Sequence, residues 1–282
     1  VSDWSSDVCS SDLGTIALTR PLRIDHGRIT IAGQSAPGLG ITLRDQPLLV
    51  AADDVVIRYL RSRLGDAGGA EADAIWVQAG RDIILDHVSA SWSTDEVLSV
   101  ANLQRRPDLV LDRVTVQWSF ITESLDASVH DKGAHGFGSL VRGSRGARYS
   151  FHHNLWAHHR ARLPRPGNYA DPAADPVGLL LDLRNNVIHN WGVGAGADAG
   201  AAPILAAGYN IDPVAISRYN VVGNAYLRGA DSRAALAFHE GAANSRAYFA
   251  GNSMDGVVPA DPWSLVGGDV GGLRWQLAAG GG

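Results

Sequence analysis

A short strand-like pattern recurs along the chain at intervals of 27 to 39 residues, and this repetition limits the folds that the chain can adopt. Within each unit, apolar and polar side chains alternate with a period of two, as in Val114 and Val116 against Thr115 and Gln117. Such alternation is typical of β-strands, and no stretch carries an apolar stripe of helical period and length. The units occupy residues 54–63, 82–92, 109–121, 148–158, 180–190, 217–227 and 245–254.

One strand pattern in every ~20–50 residues indicates a solenoid or a propeller. The signatures of WD-type and kelch-type propeller blades are absent, so we predict an all-β parallel β-helix, a solenoid with loops leaving at its corners. A β-sandwich with irregular loops is the alternative. Asn154, Asn186, Asn224 and Asn252 occupy the same place in four units. Asparagine tolerates left-handed corners, and stacked asparagine side chains can hydrogen-bond along the solenoid axis.

Composition excludes several classes of protein. The chain has 282 residues, of which 45% are hydrophobic and 19% charged, unlike a disordered protein. A net charge of −5 argues against bulk binding of nucleic acid, and no apolar run approaches the ~18 residues of a membrane span. Residues 1–13 form a Ser/Asp-rich lead that we expect to be non-native. We expect residues 14–282 to form a single β-helix domain, truncated at its N-terminus.

Acidic and basic side chains are segregated along the chain. Between Asp66 and Glu96 there are seven carboxylates and one base, whereas between Lys132 and Ala170 there are six arginines, one lysine, five histidines and no carboxylate. Neighbouring coils of a solenoid lie about 4.8 Å apart, so the two stretches can form one composite surface. Clustered carboxylates without thiolates favour Ca²⁺, and arginines bind carboxylates or phosphates. A set of solvated ion pairs is the alternative.

Several motifs, taken in order, resemble the pectate lyases, the family-one polysaccharide lyases. One such motif would be weak support, whereas the ordered set is specific and runs from about residue 14 to residue 227. The resemblance implies a right-handed parallel β-helix and a calcium-dependent enzyme that cleaves polygalacturonate by β-elimination to 4,5-unsaturated oligogalacturonides. The motifs are ITIAGQSAPGLGITLR (29–44), DAIWV (73–77), ILDHVSASWSTDEVLSV (84–100), VTVQWSFITESL (114–125), HDKGAHGFGSLVRG (130–143), FHHNLWAHHRARLPRPGN (151–168) and RNNVIHNWG (184–192).

The resemblance also implies a Ca²⁺ site. Asp73 matches a calcium ligand of the family, with Glu71 as its companion, and Asp95 matches a later ligand. The family's carboxylate upstream of Asp95 is replaced here by Ser91. The adjacent Glu96 is the residue that can compensate for this replacement.

Two basic residues match catalytic and substrate-binding positions of the family, and a third lies near a position that does not match. Arg162 matches the catalytic arginine, the general base that removes the C5 proton, and Lys132 matches a substrate-binding lysine. A further arginine of the family falls on Gly167, so we expect Arg165 to bind the substrate carboxylate in its place. Because arginine is normally protonated, we expect crowding by positive charge to lower the pKa of Arg162.

The resemblance implies a secreted monomer that acts on an extracellular polymer, pectate, and that binds neither nucleic acid nor a membrane. Two alternatives remain. A pectin lyase acting on methyl-esterified chains without calcium would not need Asp73 and Asp95. A catalytically inactive β-helix would bind polysaccharide without cleaving it.

Four histidines suggest a zinc site at first sight: His152, His153, His158 and His159. Adjacent histidines on a strand point to opposite faces. We therefore predict a structural or solvent-facing role for these four side chains.

Overall fold

The strands of this protein follow one another in a strict three-step order, and each pairs in parallel with strands of the neighbouring coils. The structure is a computed structural model that describes residues 14–102, 109–192 and 204–268. The predicted parallel β-helix is confirmed, and the β-sandwich alternative is wrong. The predicted non-native lead, residues 1–13, lies outside the described residues.

The first face of the β-helix, sheet A, contains nine strands, one for each coil. Residues Thr15–Ala17 at its start pair in parallel with Ile41–Arg44, and the same pairing repeats to the other end of the sheet. Its strands are β1 (Thr15–Ala17), β4 (Ile41–Arg44), β7 (Leu60–Arg63), β9 (Ser89–Ser91), β12 (Phe120–Thr122), β15 (Leu155–His159), β18 (Val187–Trp191), β21 (Ala225–Leu227) and β24 (Ser253–Met254).

The second face, ladder B, follows a corner after each strand of sheet A. Its last three strands form a separate sheet that continues the stack, where the Tyr209 amide donates to the Pro164 carbonyl at 3.2 Å. Ladder B comprises β2 (Leu22–Ile24), β5 (Leu48–Ala51), the first half of β8 (Ile75–Asp86), β10 (Leu98–Ala101), β13 (Leu140–Arg142), β16 (Arg165–Gly167), β19 (Gly208–Asn210), β22 (Phe238–Glu240) and β25 (Val266–Gly268).

The third face, ladder C, completes each coil, and β8 joins it to ladder B because its second half pairs with strands of ladder C. Its strands are β3 (Ile29–Ala32), β6 (Val55–Arg58), the second half of β8, β11 (Leu111–Gln117), β14 (Arg148–His152), β17 (Leu179–Arg184), β20 (Ser217–Val222) and β23 (Arg246–Ala250). The described residues also form two 3₁₀ turns, Gly33–Ser35 and Pro262–Leu265, and contain no helix long and apolar enough to cross a membrane.

The core fills the space between the three faces. In ladder C the buried positions stack in register from coil to coil, so that Ile83, Val114, Tyr149 and Leu181 lie one above another. The alternating side chains of the same strands face solvent. The period of two in the sequence therefore separates the core from the surface, as expected for strands that are buried on one face only.

The four corner asparagines form a buried ladder along the axis, as predicted. The Nδ2 atom of Asn154 donates to Oδ1 of Asn186 at 3.1 Å, and Asn186 donates in turn to Asn224 at 2.9 Å. These four asparagines do not themselves adopt the left-handed backbone geometry that asparagine tolerates. The residue before each of them turns the corner with a positive φ, as at His153 (58°) and Asn185 (53°). The residue before each asparagine makes the turn of the corner. The asparagine itself follows the turn, and its side chain is buried inside the β-helix.

Besides the asparagine ladder, the carboxyl group of Glu240 is buried in ladder B, at the last residue of β22. Its Oε1 accepts a hydrogen bond from the Ala242 amide at 2.7 Å, and its Oε2 has no hydrogen-bond partner among the described residues. Burial raises the pKa of Glu240 to about 7, against the lowering effect of the Ala242 amide. The folded protein therefore holds this carboxyl group protonated at pH values where the unfolded chain releases the proton.

We expect the Glu240→Gln variant to be more stable than the parent above pH 7. Between pH 4.5 and about 7 the unfolded chain loses the Glu240 proton while the folded protein keeps it. The free energy of unfolding of the parent therefore falls as pH rises through this window, by about 3 kcal/mol. Urea unfolding at pH 5 and pH 8 measures the difference. An equal decline with pH in parent and variant would contradict this assignment.

Candidate active site

Three carboxylates converge where ladder B begins in two successive coils. Asp73 lies two residues before β8 reaches Ile75, and Glu96 lies two residues before β10. Ligand atoms of Asp73, Asp95 and Glu96 lie within 4.8 Å of one another, and Asp73 and Glu96 are buried. The backbone brings them together, because the Asp95 amide donates to the Ala72 carbonyl at 3.3 Å.

The three carboxylates differ in their pKa values. Burial raises the pKa of Asp73 well above its usual range, and the charges of Glu96 and Asp95 raise it further. Burial also raises the pKa of Glu96, although Arg162 opposes this. For Asp95 the effect of burial is outweighed by contact with His135 and by the Arg162 charge, which bring its pKa to about 2. A cation placed among the three oxygens would relieve both the burial penalty and the repulsion.

This donor set fits the calcium ion that the resemblance implies. Ca²⁺ takes about six to eight oxygen ligands, and three carboxylates can supply up to six of them without a soft ligand. Glu96 lies in the cluster with Asp73 and Asp95, so its carboxylate is placed where it could replace the family's carboxylate that is missing at Ser91. Ser91 does not join this cluster, since its hydroxyl lies 3.0 Å from that of Thr122 on sheet A.

The structure places Glu71 apart from these three residues. Its Oε1 accepts a hydrogen bond from the Asp131 amide at 3.1 Å, and its ligand atom clusters with those of His130 and Asp131. The sequence grouped Glu71 with Asp73 because the two are close along the chain. The fold directs their side chains to different neighbours.

Arg162 lies directly against the carboxylate cluster. Its Nη1 forms an ion pair with Oε1 of Glu96, and its guanidinium carbon lies 3.8 Å from the ring centroid of Phe137. The side chain is 14% exposed. Two isolated parallel bridges align the backbone of three successive coils here. Glu96 pairs with Phe137, and Phe137 pairs with Ala161, the residue before Arg162. Acidic residues of one chain segment thus meet a basic residue of the other, as the segregated charges predicted.

The predicted lowering of the Arg162 pKa is wrong for this structure. Burial lowers the pKa of the guanidinium, but the charge of Glu96, followed by Tyr209 and Asp95, raises it above the usual range. The sequence showed the bases that lie near Arg162 along the chain. It did not show that a carboxylate two coils away would be its nearest charged partner.

Arg165 lies in β16 beside a buried ion pair that the sequence did not reveal. Arg142 in β13 is fully buried and pairs with Asp212, and Nη2 of Arg165 lies 3.8 Å from Oδ1 of the same carboxylate. A Cβ atom at Gly167 would collide with the Arg142 guanidinium and the Asp212 carboxylate. At Gly167, where the family has a further arginine, the space for a side chain is therefore occupied by the side chains of Arg142 and Asp212.

Lys132 lies exposed in the loop between β12 and β13. Its backbone amide donates to Nδ1 of His130 at 3.2 Å, and its ammonium group makes no ion pair with a carboxylate of the described residues. The structure thus leaves this positive charge available to a ligand. Arg165, with 20% of its side chain exposed, is partly available.

The four histidines, for which a structural or solvent-facing role was predicted, lie in β14, in β15 and at the corner between these strands. His159 is buried, with Nε2 2.8 Å from the Ile121 carbonyl and Nδ1 2.8 Å from the Ser124 hydroxyl. Burial lowers its pKa to about 4. None of the four belongs to a potential metal-ligand group among the described residues.

Comparison with known proteins identifies relatives over most of the chain. No protein-family model matches. The probable pectate lyase C of Aspergillus flavus is 32% identical over 243 residues, which are 86% of this chain and 48% of that protein. The protein of the same name from Aspergillus fumigatus is 32% identical over 229 residues, covering 81% and 45%. The chain thus spans about half the length of the curated relatives it matches.

Solved structures share the fold. An arginine-to-lysine mutant of Bacillus subtilis pectate lyase superposes with a TM-score of 0.54 at 14% identity, covering 87% of this chain and 61% of that one. Another pectate lyase, studied for its substrate specificity and anti β-elimination mechanism, gives a TM-score of 0.50 at 15% identity over 86% and 62%. By sequence over 243 residues and by fold, this chain belongs to the family of the pectate lyases.

Proposed function

We propose that this protein is a calcium-dependent pectate lyase that cleaves polygalacturonate by β-elimination and releases 4,5-unsaturated oligogalacturonides. One observation carries the proposal: the carboxylates of Asp73, Asp95 and Glu96 converge at one corner of the β-helix and meet the guanidinium of Arg162 there. The names of the relatives support the same activity. We further propose a secreted monomer, since pectate is an extracellular polymer, with residues 14–282 as the catalytic domain.

The bonds that change define the roles of the basic residues. In one galacturonate unit the C5–H and C4–O bonds break, a double bond forms between C4 and C5, and the leaving oxygen takes up a proton. Arg162 would remove the C5 proton. Lys132 and Arg165 would hold the uronate carboxylate, where negative charge accumulates as that proton leaves. When bound by Asp73, Asp95 and Glu96, calcium would supply Lewis-acid polarisation of the substrate carboxylate.

The ion pair with Glu96 sets a condition on this role of Arg162. A guanidinium paired with a buried carboxylate holds its proton and cannot act as a base. Arg162 must therefore separate from Glu96 and lose its own proton before it can accept the proton from C5. The same ion pair favours the second candidate function, a β-helix that binds polysaccharide without cleaving it, because an arginine that stays paired has a structural role.

The two candidates differ in a direct assay. We expect polygalacturonate with added calcium to give a rise in the ultraviolet absorbance of the unsaturated product, and a chelator to abolish that rise. Asp73→Asn replaces one carboxylate ligand of the cluster by an amide, and we expect the variant to lose most of the activity at limiting calcium. Asp25→Asn is the matched control, because Asp25 is half exposed and, within the described part of the chain, its ion pair is with Arg23 on the surface. A folded protein that gives no rise with calcium would support the binding function.

A further inference from the structure

The loop between β12 and β13 brings two buried histidines beside the carboxylates, and nothing in the proposed reaction uses them. His130 and His135 are 7% and 5% exposed. Their rings stack with centroids 3.9 Å apart, and the rings of His135 and Phe137 form a T-shaped contact with centroids 4.3 Å apart. The His135 amide donates to the Asp126 carbonyl at 3.1 Å. Both imidazoles are therefore held in place by their surroundings.

Carboxylates approach these imidazoles at distances suited to a shared metal ion. Nε2 of His135 lies 3.0 Å from Oδ1 of Asp95, and Nδ1 of His130 lies 3.3 Å from Oδ1 of Asp131. Two ligands bound to one ion at about 2.0–2.2 Å are themselves about 3–3.5 Å apart. Ligand atoms of Asp95, His130 and His135 all lie within 4.8 Å of one another.

Hydrogen bonding leaves this group incompletely satisfied. Oδ1 of Asp95 is buried and has no hydrogen-bond partner among the described residues, so its 3.0 Å contact with His135 lacks hydrogen-bond alignment. Nδ1 of His135 is also buried without a partner in the described part of the chain. Buried polar groups are normally paired, and a metal ion would supply the missing partner of Asp95. Binding at Nδ1 of His130 would replace its bond from the Lys132 amide, which at 3.2 Å is long.

The chemistry of the ligands distinguishes this group from the carboxylate cluster. Imidazole suits Zn²⁺ and similar transition-metal ions, whereas Ca²⁺ takes oxygen ligands. Glu71 extends the same group, because its ligand atom clusters with those of His130 and Asp131. We propose that His130, His135 and Asp95, with Glu71 and Asp131 at the rim, form a second metal site that binds Zn²⁺ or a similar imidazole-preferring divalent ion.

The shared residue links this site to the carboxylate cluster. Asp95 belongs both to the imidazole group and to the group with Asp73 and Glu96. When Asp95 binds Zn²⁺ through Oδ1, its carboxylate is less available to a Ca²⁺ ion held by Asp73 and Glu96. We therefore expect Zn²⁺ and Ca²⁺ to weaken each other's binding.

Calorimetric titration of Zn²⁺ into the chelator-treated full chain tests the proposal without reference to lyase activity. We expect one site, and we expect His130→Gln and His135→Gln each to weaken Zn²⁺ binding by about tenfold or more. Co²⁺ serves as a spectroscopic probe, and its visible absorption bands are expected to fall in intensity in the same variants. His153→Gln is the matched control, since it removes another half-buried histidine, at the corner after β14.

Two results would overturn the proposal. One is no Zn²⁺ binding by the folded parent protein, and the other is equal weakening in His153→Gln and His135→Gln, which would indicate scattered surface histidines. Repeating the titration with added Ca²⁺ tests the shared ligand, and an unchanged Zn²⁺ affinity would contradict the role of Asp95. Because these measurements follow metal binding, their failure is distinguishable from an absence of lyase activity.

Discussion

Replacing Arg162 with alanine is expected to lower turnover of polygalacturonate by about 10²–10⁴-fold, because the base that removes the C5 proton is lost. Binding of polygalacturonate is expected to survive, since Lys132 and Arg165 remain. The measurement pairs the rate of ultraviolet absorbance increase with a calorimetric binding isotherm. Residual activity above about one per cent in Arg162→Ala would contradict the catalytic role.

Controls must separate catalysis from folding, because Arg162 also neutralises the buried Glu96. Breaking a buried ion pair by removing one partner costs about 3–5 kcal/mol. Arg162→Lys keeps a positive charge beside Glu96, so we expect it to recover most of the melting temperature and less than about a tenth of the turnover, because lysine lacks the planar guanidinium fork. Arg184→Ala removes an exposed arginine that pairs with Asp182 and is expected to change neither quantity.

Replacing Asn186 with alanine is expected to lower the free energy of unfolding by about 3–5 kcal/mol. Its Oδ1 accepts from the amide of Asn154 at 2.9 Å, and its Nδ2 donates to the Phe151 carbonyl at 2.9 Å. Alanine would leave both backbone groups buried without partners, each at about 1–3 kcal/mol, and would interrupt the ladder between Asn154 and Asn224. Urea unfolding followed by circular dichroism measures the loss.

Asn220→Ala is the matched control for the asparagine ladder. Asn220 lies half-buried on the outer face of β20, and its side chain makes no hydrogen bond among the described residues. We expect its replacement to change the free energy of unfolding by less than about 0.5 kcal/mol. Equal losses in Asn186→Ala and Asn220→Ala would show that the ladder contributes nothing special to stability.

The fold was predictable because its information is local and repeated. Alternation within units such as 109–121 and 180–190 identified the strands, and the spacing of the units identified the solenoid. The role of single corner residues was less predictable. The left-handed positions fall on residues as different as His153, Asn185 and Gly223. The inward-facing asparagine after each corner is the better marker, because its side chain must satisfy backbone groups of neighbouring coils.

The candidate site was only partly predictable. Asp73, Asp95 and Arg162 were named from the resemblance, and the fold brings them to one corner. Arg142 and Asp212 were not predicted to pair because they are 70 residues apart and because Arg142, although it lies in the motif at 130–143, was assigned no role there. Arg142 is buried beside Gly167, which has no room for a Cβ atom. This contact depends on the tertiary structure and cannot be predicted from the sequence.

By itself, the sequence determined the strand pattern, the coil repeat, the asparagine ladder and the types of residue available for catalysis. These features depend on neighbours along the chain and on a period that recurs. The tertiary structure decided which charges meet: Glu96 rather than Glu71 joins Asp73, Glu96 raises the pKa of Arg162, and His135 lies against Asp95. The physical reason is that coil stacking and loop paths set these contacts between residues distant in sequence, and burial then strengthens the interactions between their charges.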